Sequence, residues 1–373
     1  MKKFAEPILV TRPYLPDIEG FKKGLEEIWA NRWLSNNGPL VKRFEAKLAE
    51  YMGTCVSNVS TFVNGTLALE IGFQAMGLSG ADVITTPFTF VATAHALKRI
   101  GATPVFADVD PKSFCLSPAE AERHITHRTK AIVPVHVYGH PCDVEGFERL
   151  GRKYGLKIIY DAAHAFGVKI GGRDISSFGD MSMFSFHPTK LFHSAEGGLL
   201  VFKDAKLQRK VNQLRNFAIM DEMRCIDVGT NAKMNEMCAL MGLECLKVVD
   251  ELIASRAEIH AAYAQSFAGC PEVEFPDPAA LRADLTPNYA YCPILVKDFD
   301  TREMLYAKLK ESNVFSRRYF YPLLTDFDPY VYGKASCPVA KELADRVLTL
   351  PTYYGLGADT AREIGNIVRD LLG

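Results

Sequence analysis

Residues 156–164 read Leu156-Lys157-Ile158-Ile159-Tyr160-Asp161-Ala162-Ala163-His164: an apolar run of strand length that ends on a carboxylate and then gives way to a loop. Working outward, similar short runs recur on both sides, at 82–86, 103–107 and 131–136 before it and at 181–186 and 198–202 after it. Helical stretches at 66–77, 90–100, 143–154 and 204–216 lie among them. Strands alternating with helices predict a mostly parallel sheet covered on both faces, the α/β class. Ligands on such sheets bind in the loops beside the strand ends. Asp161 therefore points toward a cleft, and a carboxylate buried there needs a charged partner. Taken alone, it is better read as a helix N-cap or a structural ion pair.

The flanking chain is organised around this core. Phe21, Leu25, Ile28 and Trp29 fall at helical spacing over 18–34, and Asn36-Asn37-Gly38-Pro39 ends that helix. A second helix presents Val41, Phe44, Leu48 and Tyr51 on one face and stops at Gly53. Further on, a long helix is expected over 233–266, then a Pro- and Asp-rich stretch, strand-like runs at 289–296 and 314–321 around a helix, and closing helices at 335–348 and 359–372. The pattern predicts a large α/β domain over 1–245, the N-terminal arm included, and a small α+β domain over 246–373.

Composition narrows the function. With 43 basic and 44 acidic residues among 373, the chain carries a net charge of −1 and lacks the basic footprint of a nucleic-acid binder. The first residues form no apolar signal core, and no apolar run reaches membrane-spanning length, so the expectation is a cytoplasmic protein with no membrane partner. The nine cysteines are scattered without a CxxC pair and are expected as reduced thiols. No metal site is expected: His136 and His140 flank a loop rather than sharing a helix face.

Three segments carry chemistry. Lys190 closes Ser185-Phe186-His187-Pro188-Thr189-Lys190 and is followed by Glu196-Gly197-Gly198, whose glycines suggest tight backbone turns near a ligand. Asn64-Gly65-Thr66 precedes the apolar helix, and a Gly-Thr pair at a helix start offers free N–H groups to an anion. Asp161 is the third. Singly, each has a plain alternative in a solvated lysine, a helix cap or an ion pair. Jointly they match one requirement: an aldehyde cofactor needs a lysine amine, its pyridine nitrogen needs an anion, and its phosphate needs donors.

At these residues the sequence resembles the DegT/DnrJ/EryC1/StrS family of sugar aminotransferases, of fold-type-I pyridoxal 5′-phosphate (PLP) architecture. The likeness runs through Trp33-Leu34-Ser35-Asn36-Asn37-Gly38-Pro39, Asn64-Gly65-Thr66, Thr86-Pro87-Phe88-Thr89-Phe90-Val91-Ala92-Thr93, Pro134-Val135-His136-Val137-Tyr138-Gly139, Asp161-Ala162-Ala163-His164, Phe184–Lys190 and Glu196-Gly197-Gly198. It implies Lys190 and Asp161 as catalytic residues, with Lys190 joined to the cofactor as a Schiff base and Asp161 on the pyridinium nitrogen. It also implies that Phe90 stacks on the ring, that His164 lies near the ring hydroxyl, and that Gly65, Thr66 and Ser185 hold the phosphate. In this family a GxN segment of a second subunit completes the phosphate site; Gly229-Thr230-Asn231 nominates Asn231 and implies a homodimer with shared active sites. The implied reaction moves an amine from glutamate to a nucleotide-linked keto sugar, C4 of dTDP-4-keto-6-deoxyglucose above others, for lipopolysaccharide or other amino-sugar products. Arg318 and His193 are the candidate substrate contacts; Arg317-Arg318-Tyr319-Phe320-Tyr321 suits a nucleotide diphosphate, with a surface arginine pair beside a core strand as the plain alternative. Ala232-Lys233-Met234 departs from the family's usual aromatic-Arg-Met. C3 amination and PLP-dependent sugar dehydration are the alternatives; dehydrating relatives carry histidine in place of the lysine.

Overall fold

The computed structural model describes residues 3–330 and 336–373. Its centre is a seven-stranded sheet of β1 (Val59–Phe62), β2 (Asp82–Thr85), β3 (Thr103–Phe106), β4 (Thr129–Val133), β5 (Lys157–Asp161), β6 (Met181–Ser185) and β7 (Gly198–Phe202), in the order β1-β7-β6-β5-β4-β2-β3. β7 alone runs antiparallel to both its neighbours, and the remaining pairings are parallel. The strands are short and, the edge strand β3 apart, mostly buried, as a sheet covered on both faces demands. One face packs with helix Pro39–Met52 through Phe44 and Leu48, and the other with helix Gly65–Ala75 through Leu69 and Phe73. Among the described residues no helix is long and apolar enough to cross a membrane.

Six strand carboxyl ends and the start of β7 therefore share one edge of the sheet. There the backbones come very close: a Cβ on Gly198 would lie 2.6 Å from the carbonyl of Asn64 and 2.8 Å from the nitrogen of Gly65. Glycine at 198 is a steric necessity.

The C-terminal third departs from expectation in instructive ways. The long helix is two, Glu236–Leu246 and Val249–Phe267, interrupted at Lys247-Val248. The run 314–321 forms single bridges at Val314 and Arg317 rather than a strand. Helix Pro338–Arg346 ends sooner than expected, and the next residues form strand β9 (Val347–Leu350), antiparallel to β8 (Cys292–Leu295). The expected start of that helix, residue 335, lies outside the described residues. The N-terminal arm joins this C-terminal layer: Ile8 bridges Val314 and packs in a cluster with Ile259, Ile294, Leu348 and Ile364.

A buried ion pair ties the two flanks of β1 together. Glu45 accepts hydrogen bonds from the Thr61 amide (2.8 Å) and hydroxyl (2.9 Å) and pairs with Arg215 at 3.1 Å. Arg215→Ala strands that carboxylate in the core and should cost about 3–5 kcal/mol of unfolding free energy, whereas replacing both partners by apolar residues of similar volume should cost less. Chemical denaturation of the single and double variants measures both.

Candidate active site

Asp161 ends β5 and is 4% exposed. Its Oδ2 accepts from the Thr93 hydroxyl at 2.7 Å and its Oδ1 from the Ala163 amide at 3.0 Å. Burial raises its pKa, while the Thr93 hydroxyl, the Ala163 amide and the charge of Lys190 pull the other way. No cation stands in ion-pair distance of this carboxylate among the described residues, so it is a buried anion prepared for one. Thr93 closes the Thr86–Thr93 string, but a threonine in the first turn of helix Ala92–Arg99 is an ordinary helix residue until β5 is seen beside it.

Lys190 sits in the loop that returns from β6 to β7, half-buried, with its amide donating to the His187 carbonyl at 2.9 Å. Its Nζ is 3.5 Å from the Tyr291 hydroxyl. Desolvation brings its pKa down to about 8; Tyr319 and Asp161 oppose that shift, and Arg317 adds to it.

The third group lies at the start of helix Gly65–Ala75. Asn64 caps it by accepting from the Leu67 amide at 2.8 Å, while the first-turn amides of Gly65 and Thr66 have no acceptor within the helix. A Cβ on Gly65 would stand 3.3 Å from Cβ of Ser185 and 3.1 Å from Sδ of Met183, so glycine lets the helix start close over the end of β6. The Ser185 side chain shares this corner of the cavity.

Gly65, Thr66, Phe90, Asp161, His164, Ser185 and Lys190 all line one cavity of about 490 Å³, together with Arg317 and Tyr319. Phe90 is 55% exposed over it. Nδ1 of His164 accepts from the Tyr138 amide at 3.2 Å, which leaves the proton on Nε2, and burial keeps this imidazole neutral. An amine, a buried anion without a cation and a cluster of donors at a helix start are the donor set that pyridoxal phosphate requires.

Two expected residues, Arg318 and His193, lie elsewhere, and Asn231, expected on a partner's site, is not at this one. Arg318 is held by Glu303 at 2.7 Å and lies over the ring of Tyr306 at 3.6 Å; Arg317 faces the cavity instead. Arg317 bridges Thr349 in extended backbone, where neighbours point to opposite sides, so a choice between two adjacent arginines was a choice of parity. His193 is a core histidine: Nε2 donates to the Tyr14 carbonyl at 2.6 Å and Nδ1 accepts from the Ala195 amide, which fastens the N-terminal arm. Asn231 is exposed away from this chain's cavity, with its Oδ1 accepting from Lys233 at 2.8 Å. Arg317 and Tyr319 belong to the strand-like run 314–321 that proves irregular; like Thr93, they are at the site without being singled out from their neighbours by the sequence.

The family model of the DegT/DnrJ/EryC1/StrS aminotransferases matches residues 17–369. The chain belongs to that family. It is similar to a dTDP-4-amino-4,6-dideoxy-D-glucose transaminase of Shigella dysenteriae, at 41% identity over 98% of this chain and 99% of that one. A protein of the same name from Escherichia coli is 39% identical over 97% of this chain and 98% of its own length. Among solved structures, DesI in the presence of its TDP-sugar product superposes with a TM-score of 0.92 at 36% identity, covering 99% of this chain and 94% of that one. As a member of this aminotransferase family, the chain is a PLP-dependent transaminase, and the fold is that of the PLP aminotransferases.

The Lys190 shift sets a pH dependence. Only the neutral amine attacks an aldehyde, and a pKa near 8 leaves roughly a tenth of it neutral at pH 7. The rate at which cofactor-free protein captures pyridoxal phosphate should rise with pH and level off above about 8 rather than above 10. Stopped-flow absorbance across a pH series checks this.

Proposed function

We propose that this transaminase moves the amino group of glutamate to C4 of dTDP-4-keto-6-deoxyglucose, acting in the cytoplasm as a homodimer with shared active sites. The observation that carries the substrate is the end-to-end likeness to transaminases named for dTDP-4-amino-4,6-dideoxy-D-glucose, the amine that such a transfer makes. A relative named for amination at C3 of a UDP sugar, from Acidithiobacillus ferrooxidans, is only 33% identical, which disfavours the C3 alternative. Lysine at 190 disfavours dehydration. The nine free cysteines are in keeping with a reducing compartment.

The residues divide the work by position. When bound, pyridoxal phosphate supplies an aldehyde that exchanges amines and a protonated ring that withdraws electrons. Asp161 would face the pyridinium nitrogen, its charge stabilised by Thr93 and the Ala163 amide. The Gly65 and Thr66 amides and the Ser185 hydroxyl would hold the phosphate, Phe90 would cover the ring, and Nε2 of His164 would donate to the ring hydroxyl. Lys190 Nζ takes the proton from Cα of the donor and releases it again within the site; its depressed pKa supplies the neutral amine this needs.

The dimer reading rests on the segment leading to Asn231. Residues 217–228 form a small hairpin that exposes Phe217, Ile219 and Met220, with Met223 94% and Val228 83% exposed. Such an apolar surface belongs against another chain, and docking it would bring Asn231 to the partner's phosphate site.

A screen of dTDP-, UDP- and GDP-linked keto sugars with glutamate, read by mass spectrometry and NMR, should give a 4-amino product from the dTDP-4-keto-6-deoxy sugar. Lys190→Ala should abolish both product and the borohydride-sensitive visible absorbance. Exclusive turnover of a 3-keto sugar would sink the C4 assignment.

Shared sites are tested separately. Lys190→Ala and Asn231→Ala chains, each nearly inactive alone, should form mixed dimers that recover about half of wild-type activity, because one of the two sites is then intact. No recovery in purified mixed dimers would count against Asn231 acting across the interface.

A further inference from the structure

We infer that Tyr291 is a positioning residue for Lys190: its phenol holds the free amine in place while the cofactor is joined to a substrate. This rests on the transaminase reading above, in which that amine moves protons once it has left the cofactor. Among the described residues the Tyr291 hydroxyl, at 3.5 Å, is the one hydrogen-bond partner of Lys190 Nζ, and Nζ is the one partner of that hydroxyl. The contact is long, as hydrogen bonds to catalytic groups commonly are before the reactants are in place. The neighbouring phenol of Tyr319 is engaged by Arg317.

The phenol stands on a fixed mount. Asn288, three residues ahead, donates to the carbonyls of His164 at 2.8 Å and Phe166 at 2.9 Å and accepts from the Ala290 amide at 3.1 Å. Arg256 donates to the Ala290 carbonyl at 3.1 Å and to the Thr352 carbonyl at 2.9 Å. The ring of Tyr291 packs on His164, with centroids 4.7 Å apart, and on Tyr138, at 5.7 Å. A lysine on a flexible four-carbon stem thus has one fixed place to rest. A phenol suits that place because a hydroxyl both donates and accepts. Desolvation pushes the Tyr291 phenol up to about 12, so it keeps its own proton while Lys190 titrates near 8. The charged lysine donates to the phenol oxygen, and the phenol donates to the neutral amine, so the contact survives both states. A carboxylate in the same position would hold the lysine charged and spoil it as a base.

Tyr291→Phe keeps the ring and removes the hydroxyl. In the single-turnover reaction of the holoenzyme with glutamate, its maximal rate should fall about tenfold, with the half-saturating concentration within about twofold of wild type. The isotope effect with glutamate deuterated at Cα should be at least as large as in wild type. In the cofactor-free protein the buried ammonium loses its acceptor, a charge-assisted bond that outweighs the one lost by the neutral amine. The charged form is then disfavoured, and the pH at which pyridoxal phosphate capture levels off should move below 8 by about half a unit or more. A structural defect alone would not move that pH. An unchanged maximal rate, a smaller isotope effect or an unmoved pH would overturn the proposal. So would a loss confined to the half-saturating concentration, which would make Tyr291 a substrate contact. The visible absorbance of bound cofactor shows that the variant is folded and loaded. A wild-type enzyme that failed with glutamate would count against the donor proposed above, and the capture measurement, which needs no donor, would decide the role of Tyr291 by itself.

Discussion

An anion without a counter-ion at the end of β5 organises the site. Asp161 is surrounded by apolar strand residues, and only a hydroxyl and an amide compensate its desolvation. A buried carboxylate in that condition is worth several kcal/mol less than one in water, and a ligand cation recovers the difference on binding. The hydrogen bond from Thr93 does a second job. It ties helix Ala92–Arg99 to the sheet, and Phe90 enters the cavity two residues ahead of that helix. The anion thus fixes the ring that would cover the cofactor as well as the charge that would polarise it.

The rest of the site follows from the sheet. Because strands on either side of β5 end at the same edge, an amine, an anion and a helix start reach one cavity without any long loop to position them. β7 contributes by running the other way: its first residue, Gly198, sits where the helix Gly65–Ala75 begins, and the absent side chain is what allows that helix start to approach. Lys190 lies in the connection between β6 and β7, so the reversal of that strand also sets where the amine returns to the cavity.

How much of this was legible in the sequence depended on how local the cause was. β5, β6 and β7 announce themselves as apolar runs, and Asn64-Gly65-Thr66 marks a helix start by its own chemistry. β1 does not: Ser60 and Thr61 in Val59–Phe62 look like loop residues, and they are buried because Asn212 and Glu45, far off in the chain, accept their protons. β9 looked like the end of a helix because Val347–Leu350 is apolar in either form; its partner β8 decides it. Among site residues, those with an intrinsic signature were readable from Asp161, Lys190 and Gly65-Thr66. Arg317 against Arg318 turned on which side of an extended segment faces inward, and His193 was already committed to Tyr14, contacts between segments that no spacing rule displays.

The placement of Ile8 has a consequence for how the chain is made. This residue is buried among Ile259, Ile294, Val314, Leu348 and Ile364, nearly the whole length of the polypeptide away. Synthesis runs from the amino end, so the arm emerges first and finds its neighbours last. The central sheet, complete once β7 has appeared, can form on the ribosome while the arm stays loose. Closure of the C-terminal layer is then a late, long-range step whose entropy grows with the separation of its two ends. Because that layer also carries Arg317 and Tyr319, and because the arm is fastened through Tyr14 to the loop that bears Lys190, the cavity acquires its final wall only when the first and last segments of the chain have met.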